Sequence, residues 1–374
     1  MQAWGRTGSI DTMGRILAAN RQDNCMTPSF PPTSESRHQQ IQSWLQGVAA
    51  SPLLALEPAA ADASARRYWR AQFGDGTRIV MDAPAEGFDY DQFLGQHARL
   101  VAAGAPVPQL FAHDAQQGFA LLEDLGQTTL TQQLTPESAQ SWYLQAIDLL
   151  VELQAKVAPA GLPPYDAEFL RRELEICREW YFGRQLGVDL QDEALETWER
   201  SCALIVLRNL AQPNVYVHRD FHSRNLMVID GAYPANPGII DFQDAVYGPI
   251  TYDVVSLLRD AYIEWPEDVQ IDWLARYWEM ARAAGLSVPA QFDVFYRDFE
   301  YMGLQRHLKI LGIFARLYHR DGKSGYLKDL PLVLKYTRQV AARYREFGHL
   351  LLLLDQVAEQ AGEAGQTTQV GYTF

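Results

Sequence analysis

Residues 216–253 read YVHRDFHSRNLMVIDGAYPANPGIIDFQDAVYGPITYD. Val215, Tyr216 and Val217 are β-branched or aromatic and run straight into His218, Asp220 and Asn225, so the pattern predicts a short strand whose end opens into a polar loop. Residues 226–229 and 238–240 form two more short apolar runs, joined by the turn-rich GAYPANPG of 231–238. They predict a hairpin that returns Asp241 towards Asp220 and Asn225.

Those three side chains suit one reaction. Phosphoryl transfer needs a carboxylate to orient the attacking hydroxyl and take its proton, and oxygen ligands that hold Mg²⁺ against nucleotide phosphates. Asp220 fits the first task, Asn225 and Asp241 the second. The spacing HxDxxxxN, followed by an apolar hairpin ending in Asp, resembles the catalytic core of the protein-kinase-like superfamily. A competing reading takes His218, Asp220 and His222 as one face of a metallohydrolase site. It leaves Asn225 and Asp241 without a role.

Composition sets the bounds around this motif. With 374 residues, 48% of them hydrophobic and 21% charged, the chain has the make-up of an ordinary globular protein large enough for two lobes. Its net charge of −14 argues against nucleic acid or an anionic membrane as the main partner, because phosphate surfaces are met by clustered Lys and Arg. Cys25, Cys177 and Cys202 are far apart and form no CxxC pair, which fits a reducing cytoplasm rather than a disulfide framework. No stretch approaches the roughly 20 apolar residues of a membrane span.

Along the chain, residues 1–35 read as a disordered extension and 363–374 as a tail. Residues 36–125 carry a helix, a hairpin around Gly74-Asp75-Gly76 (strands 66–73 and 77–81), a helix near 93–104, and a second hairpin (109–113 and 118–123). From Thr135-Pro136-Glu137, a helix start, the pattern through 362 is helical: 167–182, 191–210, 251–263, 271–284, 291–318 and 330–361. The expected fold is α+β, a small β-rich lobe (36–125) that binds nucleotide and a larger, mainly helical lobe (126–362) for catalysis and substrate.

From about residue 36 to the end of the helical region, the chain resembles the aminoglycoside phosphotransferase family of small-molecule kinases. VHRDFHSRN (217–225) is similar to that family's catalytic loop, and IIDFQDAVYGPITYD (239–253) to its metal-binding segment. The short span from Asp241 to Asp253 leaves no room for the activation segment of a protein kinase, so the acceptor is expected to be a small molecule. RRELEICREWYFGRQLG (171–187), SLLRDAYIEWP (256–266) and GLQRHLKILGIFARLYHRDGK (303–323) further resemble bacterial amino-sugar kinases that phosphorylate the anomeric hydroxyl of N-acetylated cell-wall sugars. That resemblance implies ATP and Mg²⁺ as cofactors, a sugar 1-phosphate product for cell-wall recycling, and a monomer working in the cytoplasm.

It also implies residue roles. Asp220 would orient the sugar hydroxyl, and Asn225 and Asp241 would bind Mg²⁺. His218 would pack the loop, and Asp253 would accept its backbone N–H groups. Arg224 would neutralise phosphoryl charge. Glu123 and Leu125, beside Asp124, match the hinge that meets adenine. One departure is plain: no lysine occurs before Lys156, so the strand lysine that usually grips the nucleotide phosphates is missing. Ser64, Arg67 and Arg70 are the candidates for that duty. The departure also keeps open a nucleotide-binding pseudokinase.

Acceptor residues are sought in the helical half. Arg306, Lys309, Ile313 and Arg316 fall at i, i+3, i+7 and i+10, a basic stripe able either to meet an acidic substituent or to form ion pairs. A polycationic aminoglycoside would suit it less. His222, Asp244, Glu179 and Tyr262 are the other candidates for sugar contacts, each of which could equally be structural.

Overall fold

A computed structural model of the chain describes residues 35–61, 66–83, 88–229 and 236–362. Residues 1–34 of the expected extension, the tail and Ser64 lie outside these, while Glu35 is helical. The chain divides into two compact units, Met1–Ala146 with Ser223–Asp244, and Ile147–His222 with Ala245–Phe374.

In the first unit, helix α1 (Glu35–Val48) is followed by strands β1 (Leu53–Ala61), β2 (Arg67–Phe73) and β3 (Gly76–Asp82), helix α2 (Tyr90–Ala102), and strands β4 (Leu110–Asp114) and β5 (Phe119–Glu123). The five strands form one sheet in the order β1-β2-β3-β5-β4. Strand alternation puts Trp69, Ala71 and Phe73 on the buried face, where they meet Ile41, Trp44 and Leu45 of α1. Arg66 and Arg70 project from the opposite face. At the β4–β5 turn Gly118 has φ +78, and a Cβ there would lie 2.1 Å from the Ala83 carbonyl oxygen, so the turn requires glycine.

Residues 223–244 belong to this unit because backbone hydrogen bonds fix them there. Thr131 N donates to Ser223 O (3.1 Å), Val228 N to Thr128 O (2.8 Å) and Ile239 N to Pro106 O (2.8 Å). The unit therefore reaches past the expected lobe border at 125, through the short helix α3 (Leu130–Gln133) and into α4 (Ala139–Lys156).

The second unit contains α5 (Ala167–Ile176), a π-helix (Cys177–Gln185), α6 (Asp192–Leu210), β6 (Asn214–Val217), and, after the β7–β8 hairpin (Leu226–Met227, Gly238–Ile239) of the first unit, β9 (Val246–Pro249). Then follow α7 (Tyr252–Leu258), α8 (Glu267–Ala283), α9 (Phe292–His319), α10 (Leu330–Arg343) and α11 (Gly348–Gln360). Helix α9 is the spine, buried over most of its circumference between Phe295 and Leu317. It can lie against the π-helix because residue 312 is glycine: a Cβ there would be 2.4 Å from the carbonyl of Ile176. No helix among the described residues is long and apolar enough to cross a membrane.

Candidate functional site

In the second unit the catalytic-loop segment leaves β6, which pairs antiparallel with β9, and is then held by its own backbone. Arg219 adopts φ +75, a conformation that costs a non-glycine residue about 1–3 kcal/mol and persists only where neighbours enforce it. Here they do. The buried carboxylate of Asp253 accepts the backbone N–H of His218 (2.6 Å) and of Arg219 (3.0 Å). On the other side of the same residue, Arg306 Nη1 donates to Arg219 O (2.7 Å). Asp220 N donates to His218 Nδ1 (3.2 Å), and His222 N donates to Asp220 O (3.0 Å).

Beneath this loop lies a buried ionic cluster. Glu173 of α5 receives Arg219 Nη2 (2.6 Å), Lys309 Nζ (3.0 Å) and the hydroxyl of Tyr165. Lys309 and Arg306 also donate to the Tyr252 hydroxyl, at 3.0 and 3.3 Å. Arg306 and Lys309, candidates for an acidic substituent, therefore turn inward, because Glu173, Tyr252 and a loop carbonyl are the oxygens within reach. The cluster sets the charge of Asp220. Burial alone would raise its pKa, yet Lys309, Arg306, His222 and Arg219 hold the carboxyl well below the usual range. Burial pushes Asp253 up to about 7, against the pull of its two N–H donors and Arg306.

Outward from the loop, the His222 ring meets Tyr262 edge-on (5.5 Å between centroids), and Tyr262 stacks on Phe314 of α9 (6.1 Å). Tyr262 is half-buried and Glu179, on the π-helix, is exposed.

The first unit carries the two candidate oxygen ligands, Asn225 and Asp241. Asp241, also left-handed at φ +66, lies at the end of the hairpin, and Asn225 Nδ2 is 3.4 Å from its Oδ2. Ile240 N donates to Asn225 O (3.1 Å), which fixes the pair by backbone pairing. Arg66 Nη2 (2.7 Å) and Gln243 Nε2 (2.9 Å) donate to Asp241 Oδ1. Phe242 anchors the turn by stacking on Phe93 (5.6 Å). One carboxylate and one amide oxygen suit Mg²⁺, which keeps waters and substrate phosphates as its other ligands. Among the described residues no group of three or more His, Cys, Asp or Glu is placed to hold a metal, so the metallohydrolase reading finds no ligand set there.

The remaining nucleotide candidates are engaged within this unit. Arg70 forms a two-pronged bond to Asp124 (2.6 and 3.0 Å), which lowers that carboxyl's pKa despite its burial, and also meets Gly126 O (3.0 Å). Arg67 lies 3.5 Å from the buried Asp82, whose other partner is Arg37 (2.6 Å). Glu123 exchanges backbone and side-chain bonds with Gln109 (2.8 and 3.0 Å). Leu125 packs with Met227 and Ile229. Arg224 is half-exposed and Asp244 exposed.

Sequence reading did not give a role to Glu173, Arg219, Tyr252 or Gln243. Glu173 looks like an ordinary helix charge, and Lys309, singled out within the basic stripe, is too distant in sequence for its pairing with Glu173 to be read. Among the residues given no role, only Arg219, inside the HRD motif, carried a signal.

The sequence model of the phosphotransferase enzyme family matches residues 55–290. The N-acetylmuramate/N-acetylglucosamine kinase of Neisseria meningitidis serogroup B is 45% identical over 343 residues, covering 90% of this chain and 99% of that protein. A Pseudomonas aeruginosa protein of the same name is 44% identical over 341 residues, covering 87% of this chain and 99% of its own. Among solved structures, choline kinase LicA from Streptococcus pneumoniae aligns with a TM-score of 0.59 at 11% identity, over 82% of this chain and 100% of that one, a likeness of fold.

Proposed function

Because the chain belongs to the phosphotransferase enzyme family, we propose that it is an amino-sugar kinase that transfers the γ-phosphoryl group of ATP to the anomeric hydroxyl of N-acetylmuramate and N-acetylglucosamine. One observation carries the substrate class: identity of 45% to an N-acetylmuramate/N-acetylglucosamine kinase, extending over 99% of that enzyme. A full-length match of this kind includes the α5, π-helix and α9 segments as well as the motif. The need for ATP supports a cytoplasmic site of action.

The chemistry follows from the side chains. Asp220 accepts a hydrogen bond from the anomeric hydroxyl and aims its oxygen at phosphorus. The bond from that oxygen to the γ-phosphorus forms as the bond from phosphorus to the β,γ-bridging oxygen breaks, giving the sugar 1-phosphate and ADP. The hydroxyl proton passes to the Asp220 carboxylate and on to solvent. A carboxylate held this far down its titration is a weak base, so its main task is orientation, which suits a loose transition state in which the proton leaves late. Asn225 and Asp241 would hold Mg²⁺, whose contribution is to neutralise charge on the phosphates. Arg66 would release Asp241 when the metal binds and become available to the nucleotide, an arginine substitute for the missing lysine. Arg70, Glu123, Leu125 and Arg224 frame the nucleotide, whereas Arg67, on the Trp69 face of β2 beside Asp82, steadies the sheet against α1. Asp253 and His218 keep the loop in shape.

The test is Mg²⁺-dependent ADP formation with N-acetylmuramate, N-acetylglucosamine and an aminoglycoside, for the parent and Asp220→Asn. Turnover of the two sugars, a fall of about 10²–10⁴-fold in the variant and a phosphorus NMR signal coupled to the anomeric proton are expected. Turnover of none of the three would leave the pseudokinase, and turnover of the aminoglycoside alone would reassign the substrate.

A further inference from the structure

The basic face of α9 is not uniform. Arg306 is spent on the Arg219 carbonyl and Tyr252, and Lys309 on Glu173 and Tyr252. Arg316, next on the same face, has no such partner among the described residues, and its buried Nε makes no hydrogen bond. The neighbouring acid Asp321 is occupied by Arg320 (2.7 and 2.9 Å). We propose that Arg316 is the specificity residue that pairs with the carboxylate of N-acetylmuramate, a group N-acetylglucosamine lacks. This rests on the amino-sugar kinase reading and adds to it.

Position supports the assignment. Seven residues at 1.5 Å each put Arg316 about 10 Å along the helix from Lys309, the cation beneath Asp220. The chain of rings from His222 through Tyr262 to Phe314 brings this part of α9 towards the loop, since His222 N is bonded to Asp220 O. Arg316 itself lies on the Lys309 face, seven residues on, and about 160° round the helix from Phe314. It is its register with Lys309 that lets a long arginine side chain serve the far end of a sugar whose anomeric hydroxyl is at Asp220. Electrostatics agree. Burial and the charge of Arg320 both disfavour the guanidinium, and the attraction of Asp321 and Glu179 does not restore it, so an arriving anion would relieve the site.

Partial exposure explains how one enzyme could take both sugars. A fully buried arginine devoted to the carboxylate would be left as an unpaired buried charge by N-acetylglucosamine, which would then be strongly rejected. Half-exposed Arg316 can be solvated when the neutral sugar is bound, so the carboxylate adds affinity without being required.

The experiment compares kcat/KM for both sugars in the parent, Arg316→Ala, Arg316→Lys and Arg320→Ala. Arg316→Ala is expected to lose about 10–100-fold on N-acetylmuramate, mainly in KM, as loss of a charge-assisted bond implies. On N-acetylglucosamine it should stay within about 3-fold, which also shows that the variant is folded. Arg316→Lys should recover part of the loss, and Arg320→Ala, which frees Asp321 to compete for Arg316, should lower the N-acetylmuramate to N-acetylglucosamine ratio in the same sense but by less. A ratio unaltered by Arg316→Ala, whether both activities fall together or neither does, overturns the inference alone, as does a parent that uses N-acetylglucosamine but not N-acetylmuramate. A parent inactive on both sugars overturns the kinase reading as well.

Discussion

At the scale of single residues, Asp220 is defined by the cations around it. Lys309 is the largest of the electrostatic influences that lower its pKa against the effect of burial. Lys309→Gln removes that influence and leaves Arg306, His222 and Arg219 against burial, so the Asp220 pKa rises. The acid limb of kcat/KM should move to higher pH than the parent's, with a loss that grows as the pH falls. A purely structural defect would lower activity by one factor at every pH, so parallel profiles would refute this account. The sequence made Asp220, Asn225 and Asp241 legible because their spacing is local: a loop and a tight hairpin are short-range structures. It hid the Glu173–Lys309 pair and the Arg306–Arg219 contact because nothing local announces a partner so far along the chain.

At the scale of elements, Gly312 decides how α9 packs. In an isolated helix, replacing glycine with alanine gains about 1 kcal/mol. Here the new Cβ would lie 2.4–2.5 Å from the Ile176 carbonyl and Cys177 N, backbone atoms that cannot rotate away. Overpacking of this kind costs about 1–3 kcal/mol, so the sign reverses. Gly312→Ala should lower the Tm by several degrees, and a thermal melt showing stabilisation would mean that α9 and the π-helix are not in contact at this point. The same contact explains one limit of sequence reading: helical periodicity through 167–182 does not reveal that the last turns are π-helical. Strand β1 escaped because LLALEPAAA contains Pro58, which argues against a strand. The structure places β1 at the edge of the sheet, with an irregular register between Pro58 and Ala60, where proline is tolerated. The single helix expected over 330–361 is interrupted at Tyr344, whose extended backbone allows its hydroxyl to reach Glu300 (2.6 Å).

At the scale of the whole molecule, the α+β kinase-like fold was legible because the two halves differ in period, alternation before residue 125 and helical spacing after 135. The response of the whole to pH was not, since it depends on what is buried. His307 of α9 is fully buried, stacked on Tyr336 of α10 (5.1 Å), with Nε2 bonded to the Arg259 carbonyl (3.2 Å). Burial, with Arg259 and Arg306 nearby, pushes its pKa down to about 3 from 6.5. The unfolded chain therefore takes up a proton below pH 6.5 that the folded chain refuses, and this contribution to stability, complete above pH 6.5, is lost as pH falls towards 3. Asp253, raised to about 7 from 3.8, acts in the opposite direction: the folded state keeps a proton that the unfolded chain releases, so stability drops as pH rises from about 4 to 7. Between pH 4 and 6.5 the two oppose each other, each with a limiting slope of about 1.4 kcal/mol per pH unit. His307→Gln keeps a donor for the Arg259 carbonyl but cannot titrate. Chemical denaturation of parent and variant across pH 4–8 cancels Asp253 and the net charge of −14, which are common to both. The parent's advantage should be constant above pH 6.5 and shrink steadily below it. An advantage independent of pH would show that His307 titrates alike in the folded and unfolded chain.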